Sequence, residues 1–129
     1  MKYVAILVLL LGFTAPVHAG DLDGKGLECT LVENPLNFRP KYYLFENGKV
    51  VQSYVDNSTP LRIKRDTYQD DYEASAGAIV WSASYTLDRK TLKLSVSMGM
   101  ETQMYYCQVM TPEEIESILQ KQIEALKEE

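Results

Sequence analysis

The chain has 129 residues, 46% of them apolar and 24% charged, with a formal net charge of −5 and a pI near 4.9. That length suits one domain, and the composition excludes collagen-like, mucin-like and low-complexity classes. The acidic balance argues against nucleic acid and anionic membrane surfaces as partners, because phosphate contacts need clustered Lys and Arg.

Residues 1–19 read MKYVAILVLLLGFTAPVHA. Lys2 supplies a positive start, Val4 to Phe13 an apolar run, and Val17 and Ala19 a small-residue cleavage site. This pattern predicts a secretory signal peptide cut after Ala19. A membrane anchor needs about 20 apolar residues, and Pro16 and His18 end the run too soon. Lipoprotein modification is disfavoured, since Cys29 follows Glu28 well beyond the cut. The expected mature chain, Gly20 to Glu129, is periplasmic or secreted and carries no membrane anchor.

The one histidine, His18, leaves with that leader. Without imidazole there is no Ser-His-Asp or Cys-His pair, and no Gly-rich phosphate loop precedes a helix. A carboxylate pair could hydrolyse a glycosidic bond, but so small a domain has little room for a sugar cleft. The expectation is no catalysis, no cofactor and no metal. The two cysteines, Cys29 and Cys107, predict a disulfide in an oxidising compartment. Closing so long a loop is worth up to about 4.5 kcal/mol in the loop-entropy model. No CxxC spacing supports a redox pair.

In chain order, Leu27, Cys29 and Leu31 alternate with Glu28 and Thr30 as a half-buried strand. Asn34 to Pro40 breaks it. Lys41 to Glu46 and Lys49 to Val55 flank Asn47-Gly48, a strong hairpin signal that pairs Glu46 with Lys49, Phe45 with Val50 and Leu44 with Val51. Leu61 to Arg65 reads as a short strand, and Asp66 to Glu73 as a loop or an edge. Ile79, Trp81, Ala83, Tyr85 and Leu87 share a face and read as one strand. Asp88-Arg89-Lys90 is a tight turn; Leu92, Leu94, Val96 and Met98 alternate beyond it. In the last strand Tyr105, Cys107 and Val109 form one face and Met104, Tyr106 and Met110 the other. Thr111-Pro112-Glu113-Glu114 starts a helix at about 112–127. Its stripe of Ile115, Ile118, Leu119, Ile123 and Leu126 is expected to cover that second face, with a partner helix as the other option. The fold class is mainly β: an antiparallel meander of about seven strands, forming a small barrel or a sandwich, with a C-terminal helix packed on it.

Asp21 to Gly26 begins like a calcium loop, but Lys25 and Val32 stand where oxygen ligands belong; a flexible terminus is the reading. Asp66, Asp70, Asp71 and Glu73 surround Tyr68 and Tyr72. This acidic, Tyr-rich loop is either solvated or a contact surface for a cationic protein. Arg62, Lys64 and Arg65 sit just before it; Arg62 and Lys64 share an outward face and read as edge protection rather than anion binding. Trp81 and Tyr85 line either an apolar-ligand cavity, which enlarging Ala83 would block, or a filled core. Met98, Met100, Met104 and Met110 read as gap-fillers. Asn57-Ser58-Thr59 matches a glycosylation sequon, discounted here because the short leader is of bacterial type.

Leu22-Asp23-Gly24-Lys25 before Cys29, the run Tyr85 to Leu92, and Tyr106-Cys107-Gln108-Val109 before Thr111-Pro112-Glu113-Glu114 together resemble short, exported, uncharacterised proteobacterial proteins. That resemblance spans most of the mature chain and implies location rather than activity. Ser75-Ala76-Gly77-Ala78 followed by Trp81 faintly resembles the Ser-Gly loop of periplasmic lysozyme inhibitors, but the Lys-Gly element after the Trp is missing. The reading is a monomeric exported binding module. It would bind an extracytoplasmic, cationic protein through Tyr68, Asp70, Asp71, Tyr72 and Glu73. The alternatives are an apolar-ligand binder at Trp81 and Tyr85, or a structural envelope protein.

Overall fold

A computed structural model describes residues 22–33 and 38–128. The predicted signal peptide and cleavage site lie outside the described residues. The strands are β1 (Gly26–Leu31), β2 (Lys41–Glu46), β3 (Lys49–Asp56), β4 (Arg62–Thr67), β5 (Glu73–Ala74), β6 (Ala78–Trp81), β7 (Tyr85–Asp88), β8 (Lys93–Met98) and β9 (Glu101–Met110). One helix, α1 (Pro112–Lys127), follows. All nine strands belong to one antiparallel, curled half-barrel sheet in the order β4-β3-β2-β1-β9-β8-β7-β6-β5. Two meanders, β1 to β4 and β5 to β9, are thus joined within the sheet by the pairing of β1 with β9.

Local chemistry sets much of this. Asn47 and Gly48 both take positive φ, 52° and 78°, as a two-residue hairpin turn with right-handed twist requires. The Glu46–Lys49, Phe45–Val50 and Leu44–Val51 pairs form as predicted. β2 is an unbroken apolar and aromatic run because both its faces are covered. Tyr43 and Phe45 point into the half-barrel, while Tyr42 and Leu44 lie under α1. Arg62 and Lys64 are exposed on β4, an edge strand, where charge discourages further pairing.

The run from Ile79 to Leu87 is two strands, not one. Ser82 and Ala83 take left-handed conformations, φ 53° and 56°, and fold the chain back so that Trp81 pairs with Tyr85 and Ile79 with Leu87. A three-residue loop preserves parity. Residues on both arms keep alternating onto the same face, so the period-two signal runs through the turn unbroken. This hairpin and the two-residue β5 account for nine strands where about seven are expected. Ala83 itself lies exposed at the turn, outside the interior.

The helix begins with a full capping box: the Glu114 amide donates to Thr111 Oγ1 at 3.1 Å, and the Thr111 amide to Glu114 Oε1 at 2.9 Å. Its docking differs from expectation. Ile115 and Leu119 pack on Tyr42, Leu44 and Val51, touching β1, β3 and β4. Met110 joins that cluster, but Tyr106 stays 52% exposed. The reason lies at the β1–β9 junction, where Gly26 pairs with Met110 immediately before the helix. A Cβ on Gly26 would collide with Ile115 Cδ1 and sit 3.0 Å from Leu44 Cδ2. The bare backbone opens a seat for Ile115 and draws the helix across β1 toward β3. The outer face of β9 instead carries a polar network, with Tyr42 Oη donating to Glu28 at 2.9 Å and Gln108 Nε2 at 2.6 Å.

Cys29 and Cys107 are directly opposed on β1 and β9, Cα atoms 4.0 Å apart, and form the disulfide. Replacing both by Ala should lower stability in urea denaturation by up to about 4 kcal/mol, from the lost loop constraint. Gly26→Val should cost about 1–3 kcal/mol by overpacking, whereas Gly77→Ala, where a Cβ meets nothing within 4 Å, should leave the transition in place.

Candidate functional site

The half-barrel interior is filled by rings. Trp81 is 1% exposed. It stacks on Tyr85 at 5.2 Å and 11°, and meets Tyr43 at 5.5 Å and Phe45 at 5.7 Å edge-on. Tyr68 packs on Tyr85 at 5.3 Å, and Tyr72 on Phe45 at 5.2 Å. Such edge and offset contacts are the favourable aromatic geometries. Burial pushes the Tyr43 and Tyr68 hydroxyls far above the ordinary tyrosine range. Trp81 and Tyr85 thus serve as filled core, the second of the two readings of that pair.

The acidic segment bridges the two edges of the sheet, running from β4 on one edge to β5 on the other. It is tied down along its length. The Tyr68 and Tyr72 amides donate to Val50 and Gly48 carbonyls, each at 2.9 Å. Lys49 Nζ donates to the Gln69 carbonyl at 2.7 Å and pairs with Asp71 at 2.7 Å. The two tyrosine rings turn inward and anchor the segment rather than offering contact area. Asp70, Asp71 and Glu73 remain exposed. The structure therefore brings the tyrosines to the core and leaves the carboxylates outside.

The residues before β1 are not a loose terminus. Asp23 accepts the Asn47 and Gly48 amides at 3.2 and 3.0 Å and the Tyr72 hydroxyl at 3.3 Å. The Gly24 amide donates to Phe45 at 2.5 Å, and the Phe45 amide to Lys25 at 2.9 Å. These bonds press Leu22 into the core cluster, where it is 9% exposed. Asp23 is thereby spent on the Asn47-Gly48 turn. No group of three or more His, Cys, Asp or Glu side chains able to hold a metal occurs among the described residues.

Leu22 also walls a hollow of about 440 Å³ at the hairpin-turn end of the half-barrel. Its apolar surface comes from Leu22, Leu87, Leu92 and Val109, and its cations are Lys25, Arg89 and Lys90. Val109, on the predicted core face of β9, is 45% exposed because it lies at this open end. The Asp88 turn builds the far wall. The Asp88 carboxylate accepts the Lys90 and Thr91 amides at 2.8 and 3.1 Å. The Leu92 amide reaches back to Asp88 at 2.8 Å, leaving Leu92 at φ 59°. A branched apolar side chain in that region is uncommon and strained. Arg89 Nη1 donates to the Ser75 carbonyl at 2.7 Å, which fixes the guanidinium against the β5–β6 turn.

Sequence reasoning missed this hollow. Its residues come from the terminus, the β7–β8 turn and the end of β9, and each segment by itself carries only a structural signal. No helix among the described residues is long and apolar enough to cross a membrane. No family model matches this chain, and neither does any curated protein or solved structure.

The amides of Thr91 and Lys90 hold the Asp88 carboxyl below its ordinary pKa. A depressed folded-state pKa contributes stability that is complete above the ordinary carboxylate value and lost as pH falls through the lowered one. In an NMR acid titration, the Lys90 and Thr91 amide shifts should hold steady down to about pH 4 and move only below it. Asp88→Ala should abolish that transition.

Proposed function

We propose that this chain is an exported, non-catalytic binding module that takes a small ligand at the hairpin-turn end of its half-barrel. The observation that carries this reading is the hollow of about 440 Å³, which falls in the usual ligand-pocket range and combines an apolar floor with a few polar groups. Export is supported by the N-terminal signal pattern and by the Cys29–Cys107 bridge, which suits an oxidising compartment. Absence of catalysis is supported by the sequence, where His18 in the leader is the one imidazole.

A second reading keeps the acidic segment as a contact for a cationic extracytoplasmic protein. It is favoured by the tethering of residues 68–72, which holds Asp70 and Glu73 outward in a fixed array. Rim charges of this kind speed association more than they tighten it.

The neutral dye 1-N-phenylnaphthylamine separates the two. Its fluorescence should rise on titration with the protein. Val109→Glu should weaken it at least about tenfold, the effect of roughly 1.4 kcal/mol. The pair Asp70→Lys and Glu73→Lys should leave dye binding unchanged. Absence of binding, or indifference to Val109→Glu, would overturn the small-ligand reading.

A further inference from the structure

We infer that the hollow takes a free alkyl carboxylate of medium chain length, its tail on the leucine and valine floor and its head at the cationic rim. This rests on the reading above that the hollow holds a ligand, and names the ligand's chemistry.

Charge is the first argument. The chain as a whole carries −5, yet the lining of this hollow has three cations, Lys25, Arg89 and Lys90, and no carboxylate. Asp88, next to that lining, has its carboxylate engaged by the Lys90 and Thr91 amides. Those bonds shape the turn that carries Arg89 and Lys90, with Arg89 Nη1 donating to the Ser75 carbonyl at 2.7 Å. Lys25 also lines the hollow and is held by backbone bonds on both sides, from its amide to Leu22 and from the Phe45 amide to its carbonyl, each at 2.9 Å. A positive rim on a negative molecule selects an anionic group, and low-dielectric walls strengthen that preference.

Shape is the second argument. Leu22, Leu87, Leu92 and Val109 form an apolar surface that favours a hydrocarbon tail over a sugar or a nucleotide. Behind Leu87 the interior is closed by the Trp81, Tyr85, Tyr43 and Phe45 rings, so the tail cannot extend inward. The hollow, about 440 Å³ and partly open to solvent, has the size of sites that take small ligands, which favours one short chain with its head over the paired chains of a phospholipid.

The test is calorimetric titration with decanoate, decanol and decyltrimethylammonium below their aggregation limits. Methyl chemical shifts of Leu87 and Val109 mark the location. Decanoate should bind at least about tenfold tighter than decanol, decyltrimethylammonium weakest, and added salt should narrow the difference. Lys25→Gln combined with Lys90→Gln, both exposed positions, should bring decanoate down to the decanol level without changing the amide spectrum elsewhere. Equal binding of decanoate and decanol would overturn the head-group inference and leave the ligand reading standing. Failure of all three to shift Leu87 and Val109 would overturn both. Flotation of the protein with anionic phosphatidylglycerol vesicles that decanoate does not displace would overturn the assignment to a free carboxylate.

Discussion

The pairing of β1 between β2 and β9 is the constraint on which the rest depends. Every other pairing in the sheet joins strands consecutive in the chain and could form from a local hairpin or meander, while β4 and β5 end at opposite edges. In the hydrogen-bonded ladder of the described strands β1 joins the first four to the last five, and it does so across nearly the whole described sequence. Its six residues carry three further duties. Gly26 receives Ile115 of the helix, Leu27 and Cys29 enter the interior cluster, and Cys29 locks the ladder to Cys107. The disulfide stands in the strand pairing of longest sequence separation, β1 with β9, where loop-closure entropy opposes folding most.

That constraint also shapes the candidate site. The residues leading into β1 must reach the turn end of the sheet, and Asp23 clamps them there on the Asn47-Gly48 backbone and on Tyr72. The segment that delivers β1 to its place therefore becomes one wall of the hollow. Seven aromatic residues fill the curl of the sheet. Free volume is displaced to the rim, where large side chains give way to leucine, valine and cationic turn residues. Filling and hollow are two consequences of one packing problem: a half-barrel of this curvature is occupied by rings at its middle and runs out of them at its end.

Legibility followed the range of the interactions. The Asn47-Gly48 register, the helix bounds at Pro112 and Lys127 and the core faces of Cys29 and Cys107 were readable from residues a few positions apart. The Ser82–Ser84 turn was not, because its odd length leaves the alternation of Ile79, Trp81, Tyr85 and Leu87 intact. Tyr68 and Tyr72 were legible as aromatic residues in an acidic run, but not as anchors, since their partners Tyr85 and Phe45 lie on other strands. None of Leu22, Lys25, Arg89, Lys90, Leu92 and Val109 was legible as a site residue. Their shared property is proximity at one end of the sheet, and no short window of sequence encodes it.

By itself the sequence determined the elements that rest on short-range rules: turn chemistry, capping, the period of apolar residues and the single possible cysteine pairing. Tertiary structure alone decided which surface α1 covers, because that depends on the missing side chain of Gly26 meeting Ile115 far along the chain. It alone decided that the aromatic residues belong to the interior and the acidic side chains to the outside of the segment bridging β4 and β5. It also gathered three cations of an acidic protein around one apolar hollow. The physical reason is common to all three. Burial and electrostatic fields act through space, and the sheet topology sets which distant residues share that space.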